Sequence, residues 1–165
     1  MTIAPKMVER VSVLLGRDPR GLEEIAVQSA DGEPVVIRVS SLVDDKPFPT
    51  LFWLVDAELT YRIDQLEASG LIMQFQQQID ADQQIQVRMH ADHVAHIALR
   101  DQYMDIAVRR RLQQLGYSDA FAGRGIGGIA NFTRIRCLHT WYGAHLVVPN
   151  TVGVMLEEWW RRNSN

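Results

Sequence analysis

The chain has 165 residues, 47% of them hydrophobic and 22% charged, which is typical of one globular domain and excludes a disordered or fibrous protein. The formal net charge of −3 is evidence against a protein that coats nucleic acid, although it permits a local basic site. Cys137 is the single cysteine, and no apolar run is long enough for a signal peptide or a membrane span, so a cytoplasmic protein that does not contact the membrane is expected.

The N-terminal third predicts one helix and a small sheet. Apolar residues at helical spacing indicate a helix over Pro5–Leu15, which Gly16 ends. Two β-prone runs, Glu24–Gln28 and Pro34–Val39, are separated by an Asp-Gly turn and predict a hairpin. The continuous apolar run Thr50–Val55 predicts the central strand, covered on both faces.

Helical spacing then dominates the chain. It predicts a helix over Ala57–Ser69 and another over Leu71–Ile79. Asp80 or Asp82 could cap a further stretch that runs to Leu115 without Gly or Pro. Thirty residues of helix would extend roughly 50 Å, which is long for one domain. We therefore expect either a break near Asp80 or a projecting helix that pairs with another chain.

The last third combines a loop with more helix. Ala120–Asn131 is rich in glycine and predicts a loop, and Arg134–Arg161 predicts helices with a break around Pro149. Adjacent Trp159 and Trp160 favour docking of the last helix on the core, or a dimer contact. Residues 1–165 are thus expected to form one α+β domain, in which a small antiparallel N-terminal sheet packs against several C-terminal helices, one of them long.

The glycine loop carries a first candidate site. Gly123–Gly128 matches the spacing G-x-G-x-x-G, but it follows a helix rather than a strand, so NAD binding is not expected. Ile129 stands where a Walker loop needs lysine. Free amides beside arginines still predict a small-anion site, and the alternative is a solvated surface loop. The predicted anion-binding residues are Gly125, Gly127, Gly128, Arg134 and Arg136.

Three residues near the C-terminus are catalytic candidates: Cys137, His139 and His145. A cysteine at a helix N-terminus beside arginine would have its thiolate favoured. Two helical residues at this spacing project about 200° apart, so Cys137 can work with His139 only if it lies at or before the N-cap. The alternative is a buried cysteine that acts as a small hydrophobe.

Histidines also recur at i, i+3 and i+6, at His90, His93 and His96. At most two of them could share a metal ion, and scattered histidines on a helix usually form only a polar or pairing face. His93 and Arg100 lie on a similar face and are the predicted supporting residues if this helix lines the site.

Several segments in this order resemble the bacterial domain of unknown function 501 family. They are Leu15-Gly16-Arg17-Asp18-Pro19-Arg20-Gly21, Gly32-Glu33-Pro34, Pro47-Phe48-Pro49-Thr50, Leu66-Glu67-Ala68-Ser69-Gly70-Leu71, Arg134-Ile135-Arg136-Cys137-Leu138-His139, and Asn150 with Gly153. The resemblance implies no established activity. It does imply a metal or cluster site, because many members carry a Cys-Pro-Cys-Gly hairpin turn, a cysteine after the central strand and the Cys-Leu-His segment.

This chain departs from that pattern. Ser29-Ala30-Asp31-Gly32 replaces the cysteine turn and Asp56 follows the strand, so three of four sulfur ligands are absent and no iron–sulfur cluster is expected. The resemblance would bring Asp31 and Asp56 together with Cys137 and His139 as a harder, more open divalent-metal site. The alternative is that the metal was lost and that Asp31 is only a turn residue.

Two functional hypotheses follow. The first is a domain that binds a small anion, phosphate or carboxylate, and in its stronger form is an enzyme acting on a phosphorylated substrate through Cys137, His139 or His145. The second is a non-enzymatic interaction or regulatory module, a homodimer through its helices, with a vestigial or altered metal site. An enzyme requires a concave pocket at these residues, whereas a docking module requires a wide apolar face.

Overall fold

The computed structural model describes residues 2–164. Helix α1 spans Pro5–Leu15, with proline at its first turn and Gly16 at its end in the left-handed conformation (φ 69°). Both features confirm the first predicted helix. Its inward residue, Val11, is fully buried against Ile37 and Val39 of the sheet.

Five strands follow α1: β1 (Leu22–Gln28), β2 (Pro34–Val39), β3 (Leu42–Val43), β4 (Lys46–Pro47) and β5 (Phe52–Leu54). The main sheet has the order β1-β2-β5 and is antiparallel throughout, with Ile37 of β2 opposite both Ile25 and Trp53. The β1–β2 hairpin is confirmed. The middle strand is β2, however, and the predicted central strand is β5 at an edge. An apolar run indicates that both faces of a strand are buried, but it does not indicate that the strand has a hydrogen-bonded neighbour at each edge.

Strands β3 and β4 form a separate two-residue hairpin. Its turn residues Asp44 and Asp45 have φ values of 51° and 58°, as the tightest hairpin turns require. Arg20 forms an ion pair with Asp44 at 2.6 Å, and Arg111 donates two hydrogen bonds of 2.9 and 2.6 Å to the carboxylate of Asp45. These exposed ion pairs connect the hairpin to the loop after α1 and to the helical part of the chain.

The rest of the described chain is helical. The helices are α2 (Ala57–Ala68), α3 (Leu71–Ala81), α4 (Gln83–Tyr103), α5 (Ile106–Gln114), α6 (Ser118–Ala122), α7 (Leu138–Val147) and α8 (Thr151–Asn163). The chain therefore has the predicted α+β fold, with a small N-terminal sheet and a larger helical part. No helix within residues 2–164 has the length and apolar character that a membrane span requires.

The long helical stretch is broken twice. Asp82 separates α3 from α4 and caps α4 by accepting from the amide of Gln84 at 2.9 Å, which confirms the predicted break. A second break, at Met104 and Asp105, was not predicted; Asp105 caps α5 through the amide of Val108. Helix α4 has 21 residues, about 31 Å, and it is packed into the fold rather than projecting from it.

The predicted glycine loop is only partly irregular. Its first residues belong to α6, and Ile126–Gly128 form a single 3-10 turn. The segment 134–137 lies outside any helix or strand and bends at Arg136, so the next helix begins four residues later than predicted. The break between α7 and α8 is confirmed, with Asn150 accepting from the amide of Gly153 at 2.7 Å.

Helix α7 lies on the face of the sheet opposite α1, and α2, α3, α4 and α8 enclose the main core with it. Helix α7 lies close to β5, and a Cβ at Gly143 would come within 3.1 Å of the amide nitrogen of Leu54. The predicted docking of the last helix is confirmed: Trp160 meets Tyr142 edge-on at 5.2 Å, and Arg62 lies over its ring. The site described next lies where α2 meets the start of α7.

Candidate metal centre

Cys137 is the N-cap residue of α7, with extended backbone angles (φ −152°, ψ 124°). This is the placement that its cooperation with His139 requires. Its Sγ lies 3.4 Å from Nδ1 of His139. The cysteine side chain does not cap the helix; instead, the amide of Leu138 donates to Oε1 of Glu67 at 2.7 Å. A carboxylate from another helix thus stabilises the positive end of α7.

Glu67 brings a third donor atom to the same point. Its Oε1 lies 3.3 Å from Nδ1 of His139, and ligand atoms of Glu67, Cys137 and His139 all lie within 4.8 Å of one another. In a tetrahedral zinc site, bonds of about 2.3 Å to sulfur and 2.0–2.1 Å to nitrogen or oxygen place neighbouring ligand atoms about 3.3–3.6 Å apart. The two measured separations involving His139 match those of a zinc site.

The other ring nitrogen of His139 faces α2. Its Nε2 lies 2.9 Å from Oδ1 of Asp64 and 3.3 Å from the carbonyl oxygen of Thr60. Metal-binding histidines usually donate their second N–H to such a carboxylate or carbonyl, which fixes the ring and its tautomer. These contacts leave Nδ1 directed toward Cys137 and Glu67.

Charges around the imidazole favour its protonated form when no metal is bound. The hydrogen bond with Cys137, the electrostatic interaction with the same residue and the Glu67 carboxylate raise the pKa of His139 to about 9, although burial opposes the shift. A metal ion would replace that proton, since a histidine must be neutral to act as a ligand.

The cluster is reachable from solvent. The side chain of His139 is 21% exposed and that of Glu67 is 24% exposed, while Cys137 is half-buried. Arg134 and Arg136, on the irregular segment leading into Cys137, are exposed and have no ion-pair partner among residues 2–164. Two unpaired cations thus precede the cluster in the chain.

The glycine residues of the predicted anion site have a packing role. The amide of Gly125 donates to the carbonyl of Ile129, and the amide of Gly128 donates to the carbonyl of Gly125. A Cβ at Gly125 would lie 2.1 Å from Nδ1 of His93, and one at Gly127 would lie 2.7 Å from Oγ1 of Thr140. Arg134 and Arg136 are therefore the members of the predicted set that face solvent.

His145 lies apart from the cluster. It follows His139 by six positions, which places it roughly 9 Å along α7 and 240° around it. Its Nδ1 accepts from the amide of Asn150 at 2.9 Å, and its Nε2 lies 3.1 Å from Glu157. The structure thus does not bring His145 together with Cys137.

His93 and Arg100 are buried on α4 and tie it to the glycine loop. His93 accepts from the amide of Ile126 at 3.0 Å and stacks on Phe132, and burial lowers its pKa to about 4. Arg100 donates to the carbonyl oxygens of Pro49, Arg124 and Phe121. Both residues support the loop rather than the Cys137 cluster.

The predicted four-residue metal set is not assembled. Asp56 caps α2 through the amide of Leu59, and it precedes Glu67 by eleven positions, roughly 16 Å along that helix. Asp31 is exposed in the hairpin turn. The one potential ligand group of three or more that residues 2–164 form is Glu67 with Cys137 and His139. No sequence motif marks Glu67 or Asp64 as a ligand or a supporting residue, although Glu67 lies within one of the family-like segments.

A cleft of about 330 Å³ opens elsewhere, between α4 and the turn that precedes α8. Phe52, His96 and Asn150 are among its lining residues, and Cys137, His139 and Arg134 are not. This cleft is therefore not the pocket that was expected to contain the catalytic candidates.

The fold and the site together define a class: an α+β protein in which a Cys-x-His segment at a helix start meets carboxylates of a neighbouring helix. The family model described as "Protein of unknown function (DUF501)" matches residues 25–158, and the chain belongs to that family. The matched range contains Glu67, Cys137 and His139. No curated protein and no solved structure matches the chain significantly.

Proposed function

We propose that the protein binds one divalent metal ion of the zinc type through Glu67, Cys137 and His139. The observation that carries the proposal is the convergence of sulfur, nitrogen and oxygen donors within 4.8 Å of one another. Zinc accepts all three donor types, and three protein ligands are the usual number in zinc sites that keep a fourth position open.

The donor set also limits the alternatives. Magnesium and calcium prefer oxygen ligands throughout, so a thiolate in the set disfavours them. Iron–sulfur clusters are usually held by four cysteines, and this chain has one. A closed zinc site with four thiolates does not fit these residues either. A three-ligand site does fit them, and Asp64 supports it by holding Nε2 of His139 at 2.9 Å.

The open position suits the small anion that the sequence predicts. Arg134 and Arg136 are exposed cations on the segment that ends at Cys137, and they would attract and hold a phosphate or carboxylate group. A bound zinc ion would supply Lewis acidity, which polarises such a group. In the enzymatic form of this proposal, the arginines hold the substrate and His139 is kept in place by Asp64.

Thiol chemistry is a second candidate function. Cys137 Sγ, the ring of His139 and Asp64 form a series with separations of 3.4 and 2.9 Å, the order of nucleophile, base and orienting group in thiol enzymes. The two functions predict opposite effects of zinc. A metal site would bind zinc tightly, whereas zinc bound to Cys137 would block the nucleophile of a thiol enzyme.

The test is calorimetric titration with Zn²⁺ of protein that has first been treated with a chelator. We expect one ion per chain, with affinity reduced at least about tenfold in Cys137→Ser and Glu67→Gln. Asp31→Asn is the matched control and should bind as the wild type does. No saturable zinc binding, combined with rapid alkylation of Cys137 that His139→Ala slows, would favour the thiol function instead.

A further inference from the structure

A cavity of about 230 Å³ lies on the α1 side of the sheet, opposite the face that α7 covers. The loop that follows α1, the β3–β4 hairpin and Trp53 of β5 form its walls. This volume is below the roughly 300–1,000 Å³ of pockets that hold drug-sized ligands. Its occupant would be a small molecule with about one ring.

One wall of the cavity is aromatic. The rings of Phe48 and Trp53 stack with centroids 5.5 Å apart, and the guanidinium of Arg17 lies 5.4 Å from the centre of the Trp53 ring. The indole Nε1 of Trp53 is buried and has no hydrogen-bond partner among residues 2–164. Because that nitrogen is closed to solvent, a ligand in the cavity would contact the ring of Trp53 rather than its N–H.

The charged groups of the lining carry a net charge of +1. Arg20 and Asp44 pair with each other at 2.6 Å, which leaves Arg17, Lys46 and Asp18. Neither Arg17 nor Lys46 has an ion-pair partner within the described range 2–164. Two free cations beside an aromatic wall favour a ligand that combines a ring with a negative charge.

Exposed ion pairs connect the walls of the cavity to neighbouring parts of the chain. Arg111 holds the carboxylate of Asp45 with two bonds, and the Arg20–Asp44 pair ties the same hairpin to the loop that follows α1. A ligand that binds Arg17 and Lys46 would leave both of these ion pairs intact, since neither residue takes part in them.

We infer that this cavity binds a small aromatic anion: a single ring that carries one carboxylate or phosphate group. The ring packs against Phe48 and Trp53, and the anionic group lies between Arg17 and Lys46. The site shares no residue with the proposed metal centre, so the failure of one proposal would not affect the other.

The inference is tested by titrating the full-length protein with benzoate and with phenyl phosphate while tryptophan fluorescence and heat are recorded. Benzyl alcohol supplies the ring alone and inorganic phosphate the anion alone. We expect saturable binding of at least one aromatic anion, and at least about tenfold weaker binding of both half-ligands. Preference for phenyl phosphate or for benzoate identifies the anionic group.

Variants locate the binding. Arg17→Gln and Lys46→Gln should each weaken it at least about tenfold, and Trp53→Phe should remove the fluorescence response. Arg161→Gln, at an exposed arginine on α8, is the matched control and should bind as the wild type does. Lys46 is exposed, so its variant should fold normally. The inference is overturned if neither aromatic anion saturates, if a half-ligand binds equally well, or if the Arg17 and Lys46 variants retain full affinity.

Discussion

Arg100 gives the sharpest test of how the glycine loop is held. Its side chain is completely buried, and it donates to the carbonyl oxygens of Pro49 at 3.1 Å, Arg124 at 2.8 Å and Phe121. Arg100→Met would leave three carbonyl groups without this donor. Each hydrogen bond from a charged donor contributes about 1.5–3 kcal/mol, and the desolvation of the guanidinium, which lowers the pKa of Arg100, offsets part of the sum.

We therefore expect Arg100→Met to reduce the free energy of unfolding by about 4 kcal/mol. With a denaturant slope of about 2 kcal/mol per molar urea, the midpoint of unfolding should fall by about 2 M. Arg110→Met is the matched control at an exposed arginine and should leave the midpoint within about 0.3 M of the wild type. Circular dichroism during urea titration measures both values. A midpoint change below about 0.3 M in Arg100→Met would refute this account of the buried arginine.

Three further predictions concern the loop, acid stability and the metal centre. Gly125→Ala should lower the free energy of unfolding by about 3 kcal/mol, because the added Cβ would lie 2.1 Å from the His93 ring. Gly123→Ala is the control and should be nearly neutral, because its Cβ would meet open space. Equal unfolding midpoints of the two variants in urea would contradict this prediction. Burial lowers the pKa of His93 from 6.5 to about 4 and that of His96 to about 3, so the unfolded chain binds more protons below pH 6.5. Stability should therefore fall as pH falls from about 6.5 toward 4, and a flat urea midpoint between pH 7 and 5 would refute it. Asp64→Asn should weaken zinc binding about 10- to 100-fold in calorimetric titration with little change in melting temperature, and unchanged affinity would show that Asp64 does not support the ligand histidine.

Elements with local chemical signals were predictable from the sequence. Gly16 ends α1 because it adopts a left-handed conformation that favours glycine, and Asp82 begins α4 because its carboxylate accepts from a helix amide. The break at Met104 and Asp105 was not predicted, although Asp105 caps α5 in the same way that Asp82 caps α4. The order of the strands was missed because pairing is decided by tertiary contacts, and an apolar run such as Thr50–Val55 does not reveal whether it lies at an edge.

The candidate site divides in the same way. The proximity of Cys137 and His139 depends on where α7 begins. Their spacing in the sequence was therefore enough to predict that Cys137 must lie at or before the N-cap. Glu67 lies seventy positions before Cys137, and only the packing of α2 against α7 brings them together. The resemblance directed attention to Asp31 and Asp56 as replacements for thiolates. In the structure, the carboxylates nearest to His139 come instead from the third and second turns of α2.

X-ray absorption at the zinc edge, on protein loaded with one equivalent of Zn²⁺, tests the metal centre most directly. We predict one sulfur neighbour at about 2.3 Å, with the remaining nitrogen and oxygen neighbours at about 2.0–2.1 Å. The sulfur contribution should disappear in Cys137→Ser, since this is the single cysteine in the chain. A first shell without sulfur in the wild type, or zinc that a desalting column removes completely, would contradict the proposed site.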